Sequence, residues 1–154
     1  MNITQKMLHD LFEYKDGMLY SKKTGKSAGK KHHTGYCYLY INSKQYNAHR
    51  LIFLMHHGYL PEIIDHIDGN RFNNCIENLR PTTWVQNLQN MKLRGSNTSG
   101  CKNVTWTKSK NKWTVALNVN KKYVFVGRFD DLEFADLVAT EARDKFHGAF
   151  ARHC

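Results

Sequence analysis

Between residues 112 and 119 the chain alternates without a break, with Trp113, Val115, Leu117 and Val119 on one side and Thr114, Ala116 and Asn118 on the other. A period of two sends successive side chains to opposite faces, so this run predicts a half-buried strand in an antiparallel sheet. Two more strands, 102–106 and 122–128, flank it across tight turns. A helix follows over 132–146, with Ala135, Val138, Ala139, Ala142 and Phe146 on one stripe, and stops before Gly148. Three strands covered by one helix make a plausible small module.

Upstream of it lies a small polar run, 94–100 (Arg94-Gly95-Ser96-Asn97-Thr98-Ser99-Gly100), which reads as a linker. The chain then divides into a first module over 1–93, with a β-rich N-terminal arm, and a second over 101–154. In the first, the aromatic run 35–42 reads as a strand, and Ser43-Lys44-Gln45 turns it into a second strand ending near Ala48. Leu51, Leu54 and Met55 give 49–57 a helical spacing that Gly58 and Pro61 stop. Short strands are expected at 63–67 and 79–82, and the capping box Thr83-x-x-Gln86 starts a helix running through Met91. The fold class is α+β.

With 154 residues there is room for one ordinary domain or two small ones, not for a large enzyme scaffold. No apolar run approaches the roughly 18 residues of a membrane span, and Met1-Asn2-Ile3-Thr4-Gln5-Lys6 lacks the apolar stretch of a secretory signal. Cys37, Cys75, Cys101 and Cys154 lie far apart with no C-x-x-C pair, which argues against structural zinc and against a disulfide scaffold. A cytoplasmic protein is expected, with no membrane partner.

Charge narrows the partner. The 23 Lys and Arg against 13 Asp and Glu give +10. From 17 to 61 there are seven bases and no acid, and from 78 to 129 ten bases and no acid. Between these arms sit Glu62, Asp65, Asp68 and Glu77. Basic arms fit a polyanion, and carboxylates inside a basic surface repel one unless a cation offsets them.

Those acids open the richest stretch, 65–90, DHIDGNRFNNCIENLRPTTWVQNLQN. It resembles the HNH nuclease motif of the ββα-metal fold, in the homing-endonuclease branch of phages and mobile elements. There the third letter is Asn, which here gives His66, Asn78 and Asn87. The run AHRLI at 48–52, Pro61, DHIDGN and NNxxxNLR fit the same pattern in the same order.

The chemistry suits these residue types. A neutral imidazole with pKa near ~6.5 can take a proton from water at neutral pH, the role of His66. Asp65 and the amide oxygen of Asn87 offer two hard ligands for one divalent ion per site, Mg2+ first and Mn2+ next, with water and phosphate completing the shell. By resemblance, Asn78 braces the loop and orients His66. Asp65 and His66 are consecutive in a strand, so serving one site needs a strong twist or a bulge. Arg50, Arg71 and Arg80 are candidate contacts to the DNA backbone, although the His49-Arg50 pair reads equally well as helix-start packing.

The second module resembles the APETALA/ethylene-response type of DNA-binding domain. The matching residues are Asn103-Val104, Lys112-Trp113, Val126-Gly127-Arg128-Phe129, Ala135, Ala142 and His147-Gly148-Ala149-Phe150-Ala151. The resemblance implies a sheet face in the major groove, here Lys102, Thr105, Thr107, Asn118, Tyr123 and Phe125. Val104, Val115, Leu117, Val124 and Val126 would face the helix. Lys108, Lys110, Lys112, Lys121 and Lys122 would contact phosphates. Threonines and Asn118 replace several arginines of the plant pattern, which weakens the case for tight guanine recognition. The expected function is a homing-type, phage-encoded DNA endonuclease on double-stranded DNA, as a monomer or homodimer. Two alternatives fit the same residues: an inactive DNA-binding regulator on an HNH fold, and an RNA-binding protein.

Overall fold

The computed structural model describes residues 3–93 and 95–153. Arg94, where the expected linker begins, and the terminal residues Met1, Asn2 and Cys154 lie outside the described residues. The chain forms two compact units, Met1–Thr83 and Trp84–Cys154. Among the described residues are four α-helices and four small sheets, an α/β mixture. None of these helices is long and apolar enough to cross a membrane.

The first unit opens with a helix, α1 (Gln5–Leu11), where the sequence reading has a β-rich arm. Thr4 caps it by accepting from the Met7 N–H at 3.3 Å, and Leu8 is fully buried. A hairpin follows, β1 (Phe12–Lys15) and β2 (Met18–Ser21). Its turn, Asp16-Gly17, has φ of 48° and 78°, the left-handed pair that a two-residue hairpin loop demands. Three strands then form one sheet in the order β3 (Lys30–Lys31), β4 (Cys37–Ile41), β5 (Lys44–Asn47). The helix α2 (Ala48–His57) buries Ala48, His49, Leu51, Ile52, Phe53, Leu54 and Met55, too many for a single stripe, so it runs through the core. Gly58, at φ 75°, ends it by donating to the Leu54 carbonyl. β6 (Ile63–His66) and β7 (Leu79–Thr82) pair antiparallel, Asp65 opposite Arg80 and His66 opposite Leu79.

The second unit starts with α3 (Trp84–Gln89), shorter than the expected helix through Met91. The polar run after it is tied down rather than loose. Asn97 Oδ1 accepts from the Gly100 N–H at 2.7 Å, and the Ser99 hydroxyl donates to the Val104 carbonyl at 2.8 Å. Short polar side chains bonding nearby backbone make a turn, not a tether. The meander has the order β10-β9-β8, with β8 (Val104–Thr107), β9 (Lys112–Val119) and β10 (Lys122–Phe129). α4 (Leu132–His147) covers it, its N-terminus capped by Asp131. Val104, Val115, Ala135 and Ala139 form the core, with Phe129 packed against them. On α4 the predicted stripe is correct at Ala135, Ala139 and Ala142, whereas Phe146 is exposed and Arg143 is fully buried. Arg143 is tolerated there because its guanidinium donates to the Lys102 carbonyl and to Thr140.

One irregularity changes which side chains face outward. In β10 the register steps from Phe125 opposite Ala116 to Gly127 opposite Val115, a bulge that takes in Val126. Arg128 therefore pairs with Thr114 and Phe129 with Trp113, the reverse of what plain alternation from Phe125 gives.

Gly17 and Gly25 separate two costs of a side chain. Both have positive φ, but a Cβ at Gly17 would lie 2.8 Å from the Cys75 nitrogen, whereas at Gly25 it meets nothing. Gly25→Ala should cost about 1–2 kcal/mol, the left-handed penalty alone. Gly17→Ala should cost clearly more, because the hairpin must also back away from the 74–75 backbone. Urea unfolding of the two variants gives the comparison, and equal losses would refute it.

Candidate active site

The end of β6 brings two ionisable side chains under cover, Asp65 and His66, at 6% and 4% exposure. The β6–β7 register runs regularly from Ile63 to His66, so the bulge considered from the sequence is absent here. The two side chains take different partners. Asp65 Oδ2 accepts from Arg80 Nε at 3.1 Å and Nη2 at 2.9 Å. His66 Nε2 bonds Asn74 Oδ1 at 3.0 Å. An amide oxygen only accepts, so Nε2 carries the hydrogen and Nδ1 is the basic nitrogen of that tautomer.

Behind His66 stands a second imidazole. His49, from the first turn of α2, is buried, with its ring centroid 5.2 Å from that of His66 and 5.3 Å from that of Tyr36. Its Nδ1 is shielded from solvent and has no hydrogen-bond partner. Burial foremost, then the charges of His66 and Arg50, lowers its pKa to about 3. The imidazole beside His66 is therefore neutral at pH 7. The only sequence trace of this contact was the Ala48-His49-Arg50 run at the helix start.

Asn78 closes the loop between the strands. Its Nδ2 donates to Asp68 Oδ1 at 3.0 Å and to the Asn73 carbonyl at 2.8 Å, while its Oδ1 accepts from the Asp68 N–H at 3.0 Å. Asp68 also accepts from Asn73 Nδ2 at 2.8 Å and from the Asn70 N–H at 2.7 Å. Desolvation works to raise the Asp68 pKa, but the bonds from Asn73, Asn70 and Asn78 outweigh it and lower it. From the far side the β1–β2 hairpin braces the same loop, the Ile76 N–H donating to the Tyr14 hydroxyl at 3.0 Å.

The arginines picked as DNA contacts hold structure here. Arg50 donates to the Glu62 and Pro61 carbonyls, Arg71 donates to the Thr34 carbonyl and stacks over Tyr36, and Arg80 pairs with Asp65. In the second unit, Lys102 precedes β8 rather than lying on the sheet face, and its Nζ donates to the Gln89 and Met91 carbonyls, both at 2.8 Å. Lys112 pairs with Asp130 at 2.7 Å, and the Thr107 hydroxyl is shared with Thr114 at 2.7 Å. Thr105, Lys110, Asn118, Lys121, Lys122, Tyr123 and Phe125 are exposed. Arg128 joins them, missed because alternation turns it inward; the strand glycine beside it was the available signal.

Asn87 lies on α3, in the second unit, and is half-buried. Among the described residues no three His, Cys, Asp or Glu side chains form a metal-holding cluster. Asp65 fits as one hard oxygen ligand to an ion that keeps most of its water, though its carboxylate is shared with Arg80.

Residues 46–90 match the HNH endonuclease family, so the span holding His49, Asp65, His66, Asn78 and Asn87 is an HNH endonuclease domain. HNH nucleases generally use a divalent metal. Among curated proteins, the chain is similar to Protein 3.8 of Escherichia phage T7, 37% identical over 91 residues that cover 58% of this chain and 73% of that protein. No solved structure matches the chain.

His49 carries a pH dependence with a definite sign. The unfolded chain takes up its proton near pH 6.5, the folded unit only at about 3. Stability is thus full above 6.5 and falls with pH through that window, by up to about 1.4 kcal/mol per pH unit from this residue. Urea unfolding at pH 7, 5 and 4 should show a flatter decline for His49→Phe than for wild type. Parallel declines would mean that the imidazole is not held neutral.

Proposed function

We propose that the chain is a metal-dependent endonuclease that hydrolyses phosphodiester bonds of duplex DNA, phage-encoded and acting in the host cytoplasm. The observation that carries the reading is the environment of His66: buried at the end of β6, its Nε2 on Asn74, a neutral imidazole behind it. With the hydrogen on Nε2, Nδ1 is the nitrogen assigned to take the proton of an attacking water, and Asn74 would stabilise the imidazolium that results. Asp65 would offer its carboxylate to one divalent ion, Mg2+ or Mn2+, which would supply positive charge to the scissile phosphate and leaving oxygen. Asn78 acts through the loop, holding the 68–73 turn and with it the approach to His66. Arg80 holds the Asp65 carboxylate in place from the neighbouring strand. The Asn at the third motif position supports placement in the homing-type branch.

For the second unit we propose a DNA-binding module of the APETALA type. Its support is the architecture, a three-stranded sheet on one helix, with Tyr123 and Phe125 exposed on the face away from that helix. Strands β8 to β10 carry no acidic residue, so that face does not repel phosphate.

Supercoiled plasmid incubated with the full-length protein should be cleaved with Mg2+ and left intact with EDTA. His66→Ala should lower the cleavage rate by about 10²–10⁴ while DNA binding stays near wild type, since the imidazole moves a proton and adds little affinity. Asn74→Ala should retain part of the rate, because it removes only the partner that sets the tautomer. Wild-type cleavage by His66→Ala would refute the assignment. Absence of any cleavage by wild type across Mg2+ and Mn2+ would favour a binding protein on an HNH fold.

A further inference from the structure

We propose that Arg128 reads guanine in duplex DNA from the exposed face of the three-stranded sheet, placed there by the bulge in β10. The proposal rests on reading the second unit as a DNA-binding module and gives that module a specificity-determining residue.

The placement follows from the register. Tyr123 and Phe125 pair with Asn118 and Ala116, on the face away from α4. Continued without a bulge, that alternation would turn Gly127 and Phe129 outward and Arg128 into the core. The extra residue Val126 reverses the phase, so Phe129 packs against the core and Arg128 stands opposite Thr114 on the open face. Gly127 is what permits it: a Cβ there would fall 2.7 Å from Cζ of the Phe129 ring. The bulge thus exchanges a buried arginine and an exposed phenylalanine for the reverse.

The side chain is also prepared for a ligand. Arg128 is exposed, and its guanidinium lies over the Phe125 ring, 4.9 Å from the centroid. Among the described residues it makes neither an ion pair nor a hydrogen bond. Arg143, in the same unit, spends its donors on Lys102 and Thr140. A stacked guanidinium keeps its planar fork in one orientation with its donors outward, which lowers the entropy lost on binding. The base edge that suits this fork is guanine, whose O6 and N7 accept two parallel bonds in the major groove of B-form DNA. An A-form groove is too deep and narrow for it, which favours DNA over duplex RNA. Lys110, Lys121 and Lys122, exposed at the ends of the strands, suit phosphates on either side.

The test is selection of binding sites from a randomised duplex DNA pool by full-length protein in EDTA, where binding proceeds without cleavage. Wild type should enrich guanine at one position at least. Arg128→Gln should lose that preference and bind the selected sequence about 5–150-fold more weakly, with little change on unrelated sequence. Its melting temperature should match wild type, because the position is exposed; Arg128→Met serves as a second variant with the same expected loss. Retained guanine preference in both variants overturns the proposal, as does a uniform loss across all sequences, the behaviour of a phosphate contact. So does a wild type that enriches no guanine. A combined Tyr123→Ala, Phe125→Ala, Lys121→Gln, Lys122→Gln variant checks the reading beneath it. Unchanged affinity and salt dependence there would show that the sheet face does not touch DNA, so the DNA-binding module itself would fall, and Arg128 with it.

Discussion

The ion pair of Arg80 with Asp65 is the contact on which the first unit's candidate site depends. A carboxylate at 6% exposure is tolerated only when a cation and hydrogen bonds replace the water it loses, and Arg80 provides both from the neighbouring strand. The ion pair also fixes the register of β6 on β7, because the two residues are direct cross-strand partners. Register in turn decides where His66 points, and with it the contacts to Asn74 and His49. Removing one partner of such a pair typically costs about 3–5 kcal/mol, so neither can be replaced cheaply.

The two units use opposite means to place functional side chains. In the first, the site stands on regular strand pairing and a core helix, and a loop laced by Asn70, Asn73, Asn74 and Asn78 does the fine positioning. Asparagine suits that task, since one side chain both donates and accepts and tolerates tight turns. In the second, the pairing itself is broken once, and that single defect decides which residues meet the solvent.

Much of this was legible in the chain. Strict alternation located β9 to the residue, and the spacing of Leu51, Leu54 and Met55 located α2. The acids inside a basic surface pointed to Asp65, and the resemblance to the HNH motif to His66, before any geometry was known. What escaped was of two kinds. Some of it was local chemistry passed over: Asp16-Gly17 is a strong hairpin signal, and Thr4 a sound helix cap. The rest depends on particular contacts, near or distant, that pattern alone does not reveal. Burial of Arg143 needs the Lys102 carbonyl 41 residues away. The phase of β10 uses a glycine at 127, where a Cβ would meet the Phe129 ring, and the polar run after α3 is held by bonds to Cys101 and Val104 that no composition rule reveals.

The hydrogen bond from the Ile76 N–H to Tyr14 spans 62 residues. Together with the seat of Gly17 against the Cys75 backbone, it makes the first hairpin the mould in which the 74–76 segment sets. A chain emerging from the ribosome can form that hairpin at once, but the segment that holds Asn74 against His66 can dock on it only once Ile76 is made, 62 residues after Tyr14. Closing so wide a span is slow relative to local pairing. The Asn74–His66 contact is therefore among the last features of the first unit to take shape during synthesis, after the hairpin and the strands that precede it.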